Sequence, residues 1–202
     1  MHQKSIDAVT QQILERIFVE LEASARHVHL TAQQAEKLFG HGLTADRPLS
    51  QPGQFLAKER VRIVGPKGEF SRVAVLGPAR REAQVEISMT DARALGIQPP
   101  IRESGQVAGS PGCVLCGTNA SIAVESGVII AKRHLHLTPE DAAHFGVQDK
   151  QIVKLQTFTE RPLIFEDVVV RVSPDFATRA HLDFDEANAC AMKNGDLGRI
   201  IP

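Results

Sequence analysis

The chain has 202 residues, 43% of them hydrophobic, so it can bury a substantial core and is not a disordered chain. Its formal charge of −1, from 23 Lys and Arg against 24 Asp and Glu, excludes the basic footprint of a nucleic-acid binder, and the absence of Trp and Tyr removes the usual base-stacking platforms. No apolar run approaches the ~20 residues of a bilayer crossing, no secretory signal pattern is present, and three cysteines, an odd number, argue against a disulfide framework. A reducing cytoplasm is the expected setting, with neither membrane nor nucleic acid as partner.

Residues 1–22 predict an amphipathic helix. Ile6, Val9, Ile13, Ile17 and Leu21 recur at three- or four-residue steps, widened by Leu14 and Phe18, and charged residues fill the other face. It can be a terminal helix docked on its own domain or a detachable helix that binds a partner groove. "RHVHLT" (26–31) then leads into "AQQAEKLFG", where Thr31 is an N-cap, Gln34 completes a capping box and Gly40 stops the helix. "RVRIVGPKGEFSRVAVLG" (60–77) alternates on both sides of a Gly-Pro-Lys-Gly turn, a hairpin signal. "AQVEISMTDARALG" (83–96) predicts a strand, a cap at Thr90 and a short helix.

Residues 97–131 are rich in Gly, Ser and Pro but hold strand-like runs at 113–116 and 120–131, so a structured crossover segment is expected there. The pattern then repeats. "RHLHLT" (133–138) leads into a helix capped by Thr138, with Pro139 at its first position and Gly146 as its stop. Residues 151–174 predict a second hairpin. "RAHLDFDEANACAMKNG" (179–195) predicts strand, Asp183 cap and short helix. The chain therefore reads as an internal duplication, 25–96 and 132–197. The predicted fold is mainly β with short capping helices (α+β): two β-barrel-like domains around a pseudo-two-fold axis, plus the N-terminal helix. Two copies are too few for a solenoid, and segments can exchange between the barrels.

Each hexamer carries an alternating histidine pair, His27 and His29, then His134 and His136. On a strand, residues i and i+2 share a face about 6–7 Å apart, so two imidazoles can converge on one ion. Aligning "VEISMTDA" with "AHLDFDEA" sets Glu86 opposite His181, a third ligand type in each half. The candidate metal ligands are therefore His27, His29 and Glu86 with His134, His136 and His181, enough for two ions, with assignment to each ion left open. Imidazole with carboxylate suits zinc, whereas calcium and magnesium prefer oxygen. Cys113 and Cys116 form a rival CxxC pair, but on a strand i and i+3 face opposite ways, and two small buried residues are the plainer reading. His41, His144 and Cys190 read as structural or surface residues.

The paired "RHVHLT…FG" and "RHLHLT…FG", with "GPARREAQVEIS", "RESGQVAGSPG" and "RAHLDFDEANA", closely resemble the zinc-dependent phosphate propanoyltransferases, from about Ala25 to Gly195. The resemblance implies two β-barrel-like domains, a two-zinc active site between them and the interconversion of acyl-CoA plus phosphate with acyl phosphate plus CoA. It implies the same six metal ligands. It makes Arg80 the phosphate-binding and catalytic arginine and puts Ser104 in the substrate-site loop, with coenzyme A as substrate or product. On sequence alone Arg80 reads as a surface arginine beside Arg81. Members housed in bacterial microcompartments carry amphipathic N-terminal extensions, so residues 1–22 are expected to direct this chain to shell or cargo in the microcompartment lumen; a homo-oligomer is compatible with this.

With zinc as Lewis acid and Arg80 holding phosphate bidentately, direct attack by phosphate without an acyl-enzyme is expected. The alternatives are a di-metal thioester or phosphoester hydrolase and a non-enzymatic microcompartment metal-binding or scaffold module.

Overall fold

A computed structural model of the protein describes residues 16–202. In chain order, the described residues form β1 (Val19–Ser24), β2 (His27–His29), α1 (Ala32–Phe39), β3 (Ala45–Pro48), β4 (Phe55–Val64), β5 (Glu69–Gly77), β6 (Gln84–Glu86) and α2 (Met89–Leu95). There follow β7 (Ile101–Arg102), β8 (Cys113–Cys116), β9 (Ser121–Val124), β10 (Val128–Ala131), β11 (His134–Leu137) and α3 (Pro139–Phe145). The chain ends with β12 (Ile152–Phe158), β13 (Ile164–Val172), β14 (Arg179–Asp183), α4 (Phe184–Ala189) and β15 (Leu197–Ile201). The fold is mainly β with short helices, arranged as two barrel-like units, as the sequence predicts.

One unit comprises Ala25–Lys132 together with Asp183–Asp185. Its sheet runs β7-β10-β6-β2-β5-β4-β8-β9, with β3 added beside β4, and curls into a half-barrel. The Gly-Pro-Lys-Gly turn joins β4 to β5, and its first position is glycine because a side chain does not fit there. A Cβ on Gly65 would stand 2.4 Å from the Leu95 carbonyl oxygen, which closes α2 against the turn. Val28, Leu30, Leu38, Ile63, Val85 and Leu95 lie in its core. Residues 97–131 add β7 to β10 to this same sheet.

The other unit takes β1, Arg133–Leu182 and Glu186–Pro202. It is a closed six-stranded barrel, β1-β14-β11-β13-β12-β15, sealed by the antiparallel pairing of Val19 with Gly198. Leu135, Leu137, Leu155, Val170 and Leu182 fill it. Of the stretch expected as a helix over 1–22, residues 1–15 lie outside the described residues, and Val19–Ser24 is strand. In "VELEAS" the alternation of period two competes with the helical spacing. It wins because Val19 and Leu21 become 1% and 2% exposed inside the barrel.

The two histidine strands have equivalent neighbours. β2 lies between β5, parallel to it, and β6, antiparallel to it. β11 lies between β13, parallel, and β14, antiparallel. The helices that follow are capped as their sequences dictate. Thr31 Oγ1 accepts from Gln34 N at 3.1 Å while Gln34 Oε1 accepts from Thr31 N at 2.9 Å, and Gly40 closes α1 at φ 80°. Thr138 caps α3 in front of Pro139. For α2 the cap is Ser88, not Thr90: Ser88 Oγ accepts from Asp91 N, and Thr90 N instead donates to Asp185 Oδ2 at 2.7 Å.

Candidate functional site

Val28 and Leu135, the residues between each histidine pair, are fully buried in the two cores. The histidines that flank them therefore share the opposite face of each strand. Register supplies the third donor. Glu86 stands across from His27 on β6, and His181 stands across from His134 on β14. Each trio has its candidate donor atoms within 4.8 Å of one another. Donors bound to one zinc at about 2.0–2.1 Å lie about 3.4 Å apart, so small side-chain rotations bring either trio onto an ion. Among the described residues these two trios are the His, Cys, Asp and Glu groups that could hold a metal. Cys113 and Cys116 belong to neither, and burial pushes the Cys113 thiol up to about 12.

In the half-barrel unit the imidazoles are presented with fixed tautomers. Nδ1 of His27 donates to the Ala25 carbonyl at 2.8 Å, and Nδ1 of His29 to the Leu76 carbonyl at 3.2 Å. A carbonyl only accepts, so in each neutral ring Nε2 keeps its lone pair, the arrangement usual for metal-binding histidine. His27 Nε2 lies 3.6 Å from Glu86 Oε1. Burial opposes a charge on His27, but the Glu86 carboxylate and the Ala25 carbonyl outweigh it and hold its pKa above the ordinary value. His29 goes the other way, lowered to about 3 by burial first and then by repulsion from His27 and Arg80. Where Glu86 draws a proton toward His27, a cation is equally favoured, which fits this donor set to a metal.

In the barrel unit the three imidazoles pack against one another, His134 stacked on His181 and His136 edge-on to both. Centroid separations are 4.6 Å for His134–His136, 4.9 Å for His134–His181 and 4.8 Å for His136–His181. Phe176 covers His136 at 4.2 Å.

Arg80 is held beside the first trio. Its backbone N–H donates to the Leu30 carbonyl at 2.8 Å, which fixes the loop after β5 to the end of the histidine strand. Its guanidinium donates to Ser104 Oγ at 3.1 Å, and its charge opposes protonation of both His27 and His29, although Glu86 keeps His27 raised. Arg80 is thus half-buried near the trio, where the sequence alone favours a surface arginine. A depression of about 290 Å³ opens here, lined by Arg80, Arg81, Gln84, Gly105 and Val107 among others. Its fixed donors suit a small oxyanion.

Three positions escaped the sequence reading. Gln84 is 2% exposed and bonds both Glu86 and the Ser104 loop. Arg26 and Arg133, the first letters of the two hexamers, make equivalent ion pairs. Arg26 grips Asp91 through two bonds of 3.0 and 2.6 Å, and Arg133 meets Glu186 at 2.9 Å. Each guanidinium also lies over a phenylalanine, Phe70 at 4.1 Å and Phe165 at 5.5 Å. The alignment that set Glu86 against His181 also sets Asp91 against Glu186, so the signal was in the sequence.

Comparison with known proteins identifies the family. The family profile for phosphate propanoyltransferase matches residues 20–193. The phosphate propanoyltransferase of Listeria monocytogenes is 53% identical over 198 residues, 97% of this chain and 93% of that protein. That of Enterococcus faecalis is 50% identical over 205 residues, covering 98% and 97%, and that of Thermotoga maritima 54% over 181 residues, covering 88% and 86%. On a match that spans nearly its whole length, this chain belongs to the phosphate propanoyltransferase family and is a phosphate acyltransferase.

Proposed function

We propose that the protein interconverts a short acyl-CoA, propanoyl-CoA or acetyl-CoA, plus phosphate with the acyl phosphate plus CoA, using two zinc ions. His27, His29 and Glu86 hold one ion, and His134, His136 and His181 the other. Bound zinc supplies Lewis acidity toward the thioester carbonyl oxygen. Arg80 and Ser104 bind phosphate and orient one of its oxygens toward the acyl carbon. A C–O bond forms, the C–S bond breaks, and the sulfur leaves as the thiolate of CoA. No acyl-enzyme forms, since orienting two bound substrates can remove several kcal/mol of barrier without a protein nucleophile.

The observation that carries this reading is the approach of Arg80 to the first trio, with Ser104 Oγ accepting from its guanidinium at 3.1 Å. An oxyanion and a metal are thereby served by the same few residues.

The test is CoA release from acyl-CoA with and without phosphate, on protein whose metal has been measured. Phosphate-dependent release with about two zinc per chain is expected, and Arg80→Ala should raise the KM for phosphate by at least about tenfold. Release that proceeds equally without phosphate would identify a hydrolase, whereas protein purified without metal, or zinc-loaded protein releasing CoA no faster than background, would favour a non-enzymatic module. Acyl label retained on the protein after brief incubation would contradict direct attack.

The reading extends to residence in a bacterial microcompartment, reached through the N-terminal segment whose sequence is amphipathic within residues 1–22. The same assay on protein lacking residues 1–15 should keep its activity while losing co-purification with shells; unchanged co-purification would overturn this extension.

A further inference from the structure

Gln84 lies two residues before Glu86 on β6 and faces the same way. It stands across from His29, as Glu86 stands across from His27. Its amide uses three of its four bonding positions. Nε2 donates to Glu86 Oε1 and, at 2.7 Å, to Ser104 Oγ, while Oε1 accepts from Gly105 N at 2.7 Å. These partners fix which end of the amide is which, because a backbone N–H only donates and an ionised carboxylate only accepts.

Ser104 is the hub on the loop side of this network. Its oxygen receives one bond from Gln84 and one from Arg80, which fills both lone pairs. Its own proton must then point to a third group. The hydroxyl beside Arg80 becomes a directed donor, which is what an incoming oxyanion needs.

The loop that carries Ser104 and Gly105 is held at its other end too. Arg102 donates to the Ala108 carbonyl at 2.6 Å, and Ser126 Oγ donates to the Val107 carbonyl at 2.7 Å. Gln84 is therefore a rigid buried tie between an anchored loop and a metal-ligand carboxylate. The barrel unit differs at the matching position. The residue across from His136 there is Arg179, which bonds the Thr178 carbonyl and Glu20 instead.

We propose that Gln84 is a positioning residue that couples oxyanion recognition by Arg80 and Ser104 to metal retention by Glu86. This rests on the reading of Glu86 as a metal ligand and of Arg80 as the phosphate site. Removing the amide frees the carboxylate to turn and lets the Ser104 hydroxyl spend its proton elsewhere, so both properties weaken together.

The test compares wild-type protein with Gln84→Met, which keeps volume and loses every bond. Zinc content is measured after dialysis against a chelator at a level that leaves wild type with both ions, and KM for inorganic phosphate is measured after zinc is restored. Gln84→Met should fall from two ions to one, with about 10- to 100-fold weaker retention of the lost ion. Its KM for phosphate should rise while its KM for acyl-CoA stays within about twofold. A protein that kept both ions, or changed in only one of the two properties, would overturn the proposal.

Glu86→Gln is the control. If it holds both ions under the same dialysis, the reading of Glu86 as ligand fails, and the proposal falls for that separate reason. Should Gln84→Met fail to fold, Ser104→Ala leaves β6 intact and carries the same test. Its zinc retention must fall, since Ser104 reaches Glu86 through the Gln84 amide, and unchanged retention would refute the coupling.

Discussion

His27 and His29 are two residues apart on one strand, yet their affinities for a proton diverge. Burial acts first on both and disfavours charge. At His27 the Glu86 carboxylate overrides it and raises the pKa; at His29 nothing does, and the value falls to about 3. The raised His27 contributes stability to the metal-free protein that is fully present below its unfolded value of about 6.5 and is lost as pH rises through its folded value. The lowered His29 works in reverse, opposing folding as pH falls below about 6.5. For metal binding the two do not cancel. Below the raised His27 value, an ion arriving at this trio must displace a proton from His27 but none from His29. Affinity should therefore fall as pH drops below the His27 value, by about tenfold per pH unit, with one proton released per ion from this trio. Titration calorimetry of zinc into stripped His134→Ala protein at about pH 6, below the ordinary histidine value of about 6.5, in buffers of different ionisation enthalpy, measures that number. Release of two protons, or of none, would contradict the assignment.

Among the elements, the hexamers do more than present histidines. Arg26 ties β2 to α2 through Asp91, whose side chain is only 5% exposed, and Arg133 repeats the tie between β11 and α4 through Glu186. Replacing Arg26 by Met keeps contact with Phe70 but leaves a buried carboxylate without its guanidinium. Loss of about 1–3 kcal/mol is expected, less than for a fully buried pair because Arg26 is itself one-third exposed. Urea denaturation of the zinc-loaded protein checks this, and Arg26→Lys should not restore it, since one ammonium cannot make both bonds. What the sequence disclosed follows the same boundary between local and distant. The Thr31 and Thr138 caps and the Gly-Pro-Lys-Gly hairpin were legible because their partners lie within a few residues. Ser88 was missed although Asp91 three residues on completes its box. Val19–Ser24 was not legible as strand because its partners, β14 and β15, come from the far end of the chain. Nor did Gln84 announce itself in "AQVEIS", since its meaning comes from a loop twenty residues later.

At the scale of the molecule, each unit carries one three-donor cluster on a strand whose inner side chain is fully buried. In the half-barrel unit Val28 and Val85 are 0% exposed directly behind His27, His29 and Glu86. In the barrel unit Leu135 and Ala180, also 0% exposed, back His134, His136 and His181. An ion on either cluster therefore cross-links two adjacent strands of its own core. A metal that binds only the folded chain stabilises it by about 2.7 kcal/mol when present at 100 times its dissociation constant. Chelation should therefore remove activity and lower the melting temperature together, and zinc, added back, should restore both. If chelated protein loses activity at an unchanged melting temperature, the ions serve chemistry alone, and the strand pairs of His27 with Glu86 and His134 with His181 are held by the cores behind them.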